Sequence, residues 1–150
     1  MTAHRLSGPL QVERLNNGDR RLLRDLVIDL GTDLKIDGDK FEDFTQSTNG
    51  DTIITVPKGF VTDFSSIPTF ARSFYRFDSV DLAGACHDRA YYVGIRKDVA
   101  DEIWRLVAMS GERRVGKLRA RAGWLALRIG GGFAYRSHEK RRQKRLARSS

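Results

Sequence analysis

Residues 81–111 read DLAGACHDRAYYVGIRKDVADEIWRLVAMSG, and the apolar spacing of this stretch decides the fold class. Leu82, Ala83, Cys86, Ala90 and Tyr91 recur at steps of three and four, which puts them on one face of a helix. Asp81 suits its N-cap and Gly94 its end, so the pattern predicts a helix over 81–93. A second helix is expected from an Asp98 cap, with Val99, Ile103, Leu106, Val107 and Met109 as apolar positions and Ser110-Gly111 as the break. Only about four residues join the two, and helices linked so tightly fold back on each other. That return brings His87 and Tyr91 within reach of Asp101.

Upstream, LQVERL and RRLLRDLVIDL flank Asn16-Asn17-Gly18-Asp19, a cluster that tolerates positive φ and marks a hairpin. DTIITVP then alternates into a strand near residues 52–56 that Pro57 ends. In KGFVTDFSSIPTFARSF, Gly59 marks a turn, Ser65 or Ser66 can cap a short helix, and Pro68 suits its first turn. Downstream lies a basic helix around RVGKLRARAGWLALRIG, a hinge at Gly130-Gly131-Gly132, and a final stretch that reads as a flexible arm. The expected fold is α+β: a small N-terminal antiparallel β-sheet packed on a helical hairpin and a basic C-terminal helix. Residues 1–136 are expected to form one globular domain and 137–150 a basic tail.

The length of 150 residues suits one domain, and 40% apolar with 31% charged residues is an ordinary globular composition. Cys86 is the only cysteine, so neither an internal disulfide nor a cysteine-rich metal site can form. No stretch resembles a secretory leader or a membrane span, and synthesis in a host cytoplasm is expected. The net charge of +8 is unevenly held: residues 1–110 carry 14 Lys and Arg against 17 Asp and Glu, and residues 111–150 carry 13 against 2. Such a division points the C-terminal segment toward an acidic surface, whether nucleic acid, an anionic membrane or an acidic protein. Lys140, Arg141, Arg142, Lys144 and Arg145 are the expected contacts.

A histidine works as a general base when a carboxylate fixes its tautomer. His87 and Tyr91, four apart, share a helix face, and Asp101 one turn into the facing helix is the candidate partner. His87 would activate water, Asp101 would orient the ring, and Tyr91 would hydrogen-bond Asp101. Asp88, about 100° round the helix, is a candidate ligand for a divalent cation such as calcium, with Asp63 as a second donor. Thr62, Ser65 and Ser66 would line a cleft expected between residues 59–68 and the helical hairpin. The alternative for this cluster is a satisfied buried network that sets helix packing.

The segments from Gly59 to Pro68, from His87 to Tyr91 and at Ala100-Asp101 follow the pattern G-F-x-T-D-x-x-S-I-P, H-D-x-x-Y and A-D. In these, over roughly residues 10–135, the chain resembles an uncharacterised family common in tailed phages and prophages. That resemblance implies a virus-derived origin and often a place among structural or lysis genes, and carries no agreed activity; virion association, and phage structural proteins or an envelope substrate as partners, are expected beside it. A local likeness to the helix pair of phospholipases A2 implies His87 as base, Asp88 as calcium ligand, and Tyr91 and Asp101 as support. The chain departs from that family in lacking its Gly-rich calcium loop and flanking cysteines. The function expected first is a metal-assisted hydrolase of a cell-envelope substrate. The competing expectations are a non-enzymatic virion or assembly protein and a non-specific DNA-binding factor.

Overall fold

In a computed structural model, the residues described are 5–32, 34, 44–46, 50–62, 78–110, 116–130 and 132–149. Residues 12–22 form the expected hairpin, β2 (Val12–Arg14) against β3 (Arg20–Leu22), with Val12 opposite Leu22. Its turn closes through Leu15 N–H to the Asp19 carbonyl and Gly18 N–H to the Leu15 carbonyl, with Gly18 at φ +90°. The Asn17 side-chain amide also donates to the Asp19 carboxylate and accepts the Asp19 backbone N–H, as residues of this type do in tight turns.

The run RRLLRDLVIDL, expected as one flank of that hairpin, divides into β3 and β4 (Leu26–Asp29), which belong to different sheets. Leu22, Leu26, Ile28 and Leu30 all reach the core, so the two-residue alternation survives the break, while Leu23 between them is exposed. The break follows from the backbone: Leu22 N–H is taken by the Phe60 carbonyl and Leu23 N–H by the Gln11 carbonyl. One sheet runs β2-β3-β7, with β7 at Val61–Thr62. The other runs β1-β4-β6-β5, with β1 at Arg5–Leu6, β5 at Phe44–Gln46 and β6 at Thr52–Val56. All described pairings are antiparallel. The β4–β6 register sets Leu26 opposite Val56 and Ile28 opposite Ile54, and these four aliphatic side chains join the core.

Among the described residues four helices follow: α1 (Asp78–Val93), α2 (Lys97–Ala108), α3 (Lys117–Gly130) and α4 (Gly132–Ser149). Helix α1 starts three residues before the Asp81 cap that the sequence suggested, and the Asp81 carboxylate instead meets Arg20 of β3. Gly94, at φ +93°, ends it: Gly94 N–H and Ile95 N–H both bond the Ala90 carbonyl, the paired closure that a left-handed glycine permits. Buried Ile95 seals this turn, and residues 94–96 reverse the chain into α2. Asp98 lies inside the first turn of α2 rather than at its cap, where its negative charge still favours the helix N-terminus. Ser110 closes the other end by donating its hydroxyl to the Leu106 carbonyl.

Leu82, Ala83, Cys86, Ala90 and Tyr91 of α1 and Ile103, Leu106 and Val107 of α2 are buried as their spacing required. Trp104 joins them and is among the largest fully buried side chains. Together with the β4 and β6 aliphatics and Ala120 and Leu127 of α3, they make one core. The architecture is α+β. The segment read as a flexible arm belongs to α4, which rests on α1 through Tyr135 and His138 against Tyr91 and through Arg145, whose guanidinium donates to the Tyr92 carbonyl. The short helix expected at Pro68 lies outside the described residues.

Candidate functional site

Helix periodicity places His87 and Tyr91 on the face of α1 that meets α2, with their ring centroids 4.3 Å apart. Lys97 and Asp101 share the answering face of α2, four residues apart. His87 Nε2 lies 2.9 Å from Asp101 Oδ1, and both side chains are 0% exposed. Lys97 Nζ donates to Asp101 Oδ2 at 2.7 Å and to the Leu127 carbonyl of α3 at 2.9 Å. The Tyr91 hydroxyl reaches Asp101 Oδ1 at 3.5 Å, the far limit of a hydrogen bond. The expected grouping of His87, Tyr91 and Asp101 is therefore formed, with a lysine added.

Burial by itself would raise the Asp101 carboxyl, but the hydrogen bonds from His87 and Lys97, with the Lys97 charge, outweigh it and hold the group below its ordinary value. An ionised carboxylate only accepts, so it fixes the imidazole proton on Nε2. Nδ1 then carries the lone pair in the neutral ring. This atom is buried and has no hydrogen-bond partner among the described residues. Burial and then the Asp101 charge push the Tyr91 phenol well above its ordinary value, so it stays a donor. Burial likewise pushes the Cys86 thiol up, which makes it a core side chain rather than a nucleophile.

Asp88 points a different way, as its helical position requires. Its Oδ2 accepts the hydroxyl of Thr62 from β7, tying the helix to the three-stranded sheet. Both residues line an open cleft of about 490 Å3 that Phe60, Arg89, Tyr92 and Arg145 also border. The cleft was expected between residues 59–68 and the helical hairpin; among the described residues Thr62 and Asp88 line this one, whereas His87, Tyr91 and Asp101 are buried and do not line it. Asp63, Ser65 and Ser66 lie outside the described residues. No group of three or more His, Cys, Asp or Glu side chains arranged to hold a metal occurs among the described residues. Asp88 with its Thr62 partner supplies only part of the six to eight oxygens that calcium takes, and Asp63, the other expected donor, lies outside the described residues.

The basic residues expected to meet nucleic acid or an acidic partner divide by helical position. Lys140, Arg141, Lys144 and Arg145 are exposed on α4. Arg141 and Arg145 border the cleft with His138, and the Arg145 guanidinium sits 3.8 Å from the Tyr92 ring centroid. Arg142 turns inward over Gly94 and pairs with Glu139 at 3.1 Å. Lys97 is the network residue that sequence reasoning missed. Its signal was the four-residue step to Asp101 in KDVAD. Tyr135 and His138 carried no such signal, because only the return of α4 brings them to Tyr91. Among the described residues, no helix is long and apolar enough to cross a membrane.

The fold and site define an α+β domain organised around a buried His-Asp-Lys network at the junction of three helices. Residues 41–127, more than half the chain, match the family described as Protein of unknown function (DUF1353), and the chain belongs to that family. Neither a curated protein nor a solved structure matches it.

Proposed function

We propose that the chain is a hydrolase of phage or prophage origin that acts on a cell-envelope substrate, with His87 as the general base. The observation that carries this reading is the His87 ring itself. Its Nε2 is engaged by an ionised carboxylate, while its buried Nδ1 has no partner among the described residues. Buried polar atoms are nearly always satisfied, and an exception at a carboxylate-oriented histidine fits a catalytic base. Nδ1 would take a proton from water, the nascent hydroxide would attack an acyl carbon, and the imidazolium would return the proton to the leaving group. Asp101 would stabilise the imidazolium, and Lys97 and Tyr91 would keep Asp101 ionised and in place. The roles of His87, Tyr91 and Asp101 are those implied by the likeness of HDRAY and the following A-D helix to phospholipases A2. No step runs through a cation. A substrate would approach through the cleft beside Asp88, and the Thr62–Asp88 wall would have to part for it to reach the buried His87 ring.

A second reading rests on the complete burial of His87 and Asp101: the network ties α1, α2 and α3 together in a non-enzymatic virion or assembly protein. One experiment separates the two. Purified wild type, His87→Asn and Asp101→Asn are incubated with labelled peptidoglycan and with phospholipid vesicles, and folding is followed by near-ultraviolet circular dichroism. The hydrolase reading expects wild-type turnover that falls at least about 100-fold in a folded His87→Asn protein. A folded wild type that releases nothing from either substrate would overturn it in favour of the packing network.

A further inference from the structure

Helix α3 (Lys117–Gly130) meets the core through Ala120, Gly123 and Leu127. Its opposite side carries Leu118, Ala122, Leu125 and Ile129, at successive steps of four, three and four residues. At 100° per residue these fall within an arc of about 60°, about 160° away from the buried face. Leu118 and Ile129 are each 86% exposed and Leu125 is 46% exposed. A single exposed leucine is ordinary, but an aligned stripe of large aliphatic side chains facing water marks a surface that is covered in use.

The charges beside the stripe indicate what covers it. Lys117, Arg121 and Arg128 run along one flank and Arg119 lies on the other, and all four are exposed. The helix contains no Asp or Glu. An apolar arc bordered by cations, on a helix not apolar enough to span a bilayer, matches the geometry of a helix lying in the plane of an anionic lipid surface. A second copy of the chain fits less well, because two-fold pairing of this face would set the same cations against one another.

We propose that the outward face of α3 docks the protein on an anionic membrane, with Leu118, Leu125 and Ile129 entering the acyl boundary and Lys117, Arg119, Arg121 and Arg128 meeting the headgroups. The exposed cations Lys140, Lys144 and Arg148 of α4 add to the net positive charge that draws the chain toward an anionic surface at long range. The proposal stands whether or not His87 is catalytic, since no residue of the His-Asp-Lys network belongs to this face.

The test is co-sedimentation of the full chain with vesicles of phosphatidylcholine and phosphatidylglycerol, and with vesicles of phosphatidylcholine alone. The variants are Leu118→Ser/Ile129→Ser and Arg121→Gln/Arg128→Gln, each checked by thermal melting, which such exposed positions leave near the wild-type value. The wild type is expected to bind the anionic vesicles and release in high salt. The apolar pair should weaken binding at least about tenfold, and the cationic pair should weaken it as well. Three results would overturn the proposal: no wild-type binding to anionic vesicles, equal binding to neutral ones, or full binding by the folded Leu118→Ser/Ile129→Ser protein. Light scattering that finds a dimer dissolved by that variant, with no vesicle binding by wild type, would assign the face to self-association instead.

Discussion

Asp101→Asn is the perturbation whose size can be worked from the network. The carboxylate receives His87 Nε2 at 2.9 Å and Lys97 Nζ at 2.7 Å, inside a fully buried setting. Removing one partner of a buried ion pair costs about 3–5 kcal/mol, chiefly because the charge left behind stays desolvated. Two features reduce that here. The Lys97 side chain is 21% exposed and keeps the Leu127 carbonyl, and the Asn oxygen can still accept from Nε2. The expected loss is about 2–3 kcal/mol at pH 7, a large part of a typical domain's 5–15 kcal/mol. Equilibrium urea unfolding should show it as a midpoint lowered by about 1–2 M at unchanged slope. The pH dependence adds a sign. Because the folded state lowers the Asp101 pKa, its contribution is present above the unfolded value near about 4 and is lost as pH falls through the folded value. The wild-type and Asp101→Asn stabilities should therefore converge on acidification. A difference below about 1 kcal/mol at pH 7, or one that does not narrow in acid, would refute Asp101 as an ionised, paired carboxylate.

Three further outcomes follow from separate parts of the structure. Thr62→Val removes the hydroxyl that Asp88 accepts and should cost about 1–2 kcal/mol in urea unfolding; an unchanged midpoint would mean that this bond does not hold β7 to α1. Gly94→Ala forces a side chain onto φ +93° and against the Arg142 guanidinium, and should lower the melting temperature by about 3–6 °C. A Gly94→Ala protein that melts at the wild-type temperature would contradict the glycine closure of α1. Cys86 is fully buried with its thiol pushed above the ordinary value, so a disulfide reagent should label it no faster than the protein unfolds. Rapid labelling of the native protein would place Cys86 outside the core.

The helical hairpin was legible because its information is local. Apolar residues at three and four residue steps from Leu82 to Val107, with Gly94 between, specify two helices and the side of each that must be buried. The same arithmetic set His87 and Tyr91 on one face and made Asp101 reachable, and it would have found Lys97 had the step to Asp101 been counted. The strand at Thr52–Val56 was legible for the same reason, since its two-residue alternation needs no knowledge of its partners. The division of RRLLRDLVIDL between two sheets was not, because it depends on the Gln11 and Phe60 carbonyls, which the chain brings back from either side.

Other features were decided by tertiary structure alone. Whether the Asp101 carboxylate is charged depends on burial, His87 and Lys97 acting together, and desolvation has no sequence signature. That Thr62 and Asp88 line the cleft, whereas His87 and Asp101 are buried and do not line it, depends on where β7 meets α1. The basic C-terminal run reads in sequence as one block of charge. Its return onto α1 turns Arg142 inward, sets Arg145 against Tyr92 and leaves Lys140 and Lys144 to solvent. Local periodicity determines which side chains share a face, whereas the long-range packing of α3 and α4 determines which faces are buried and which remain open to a partner.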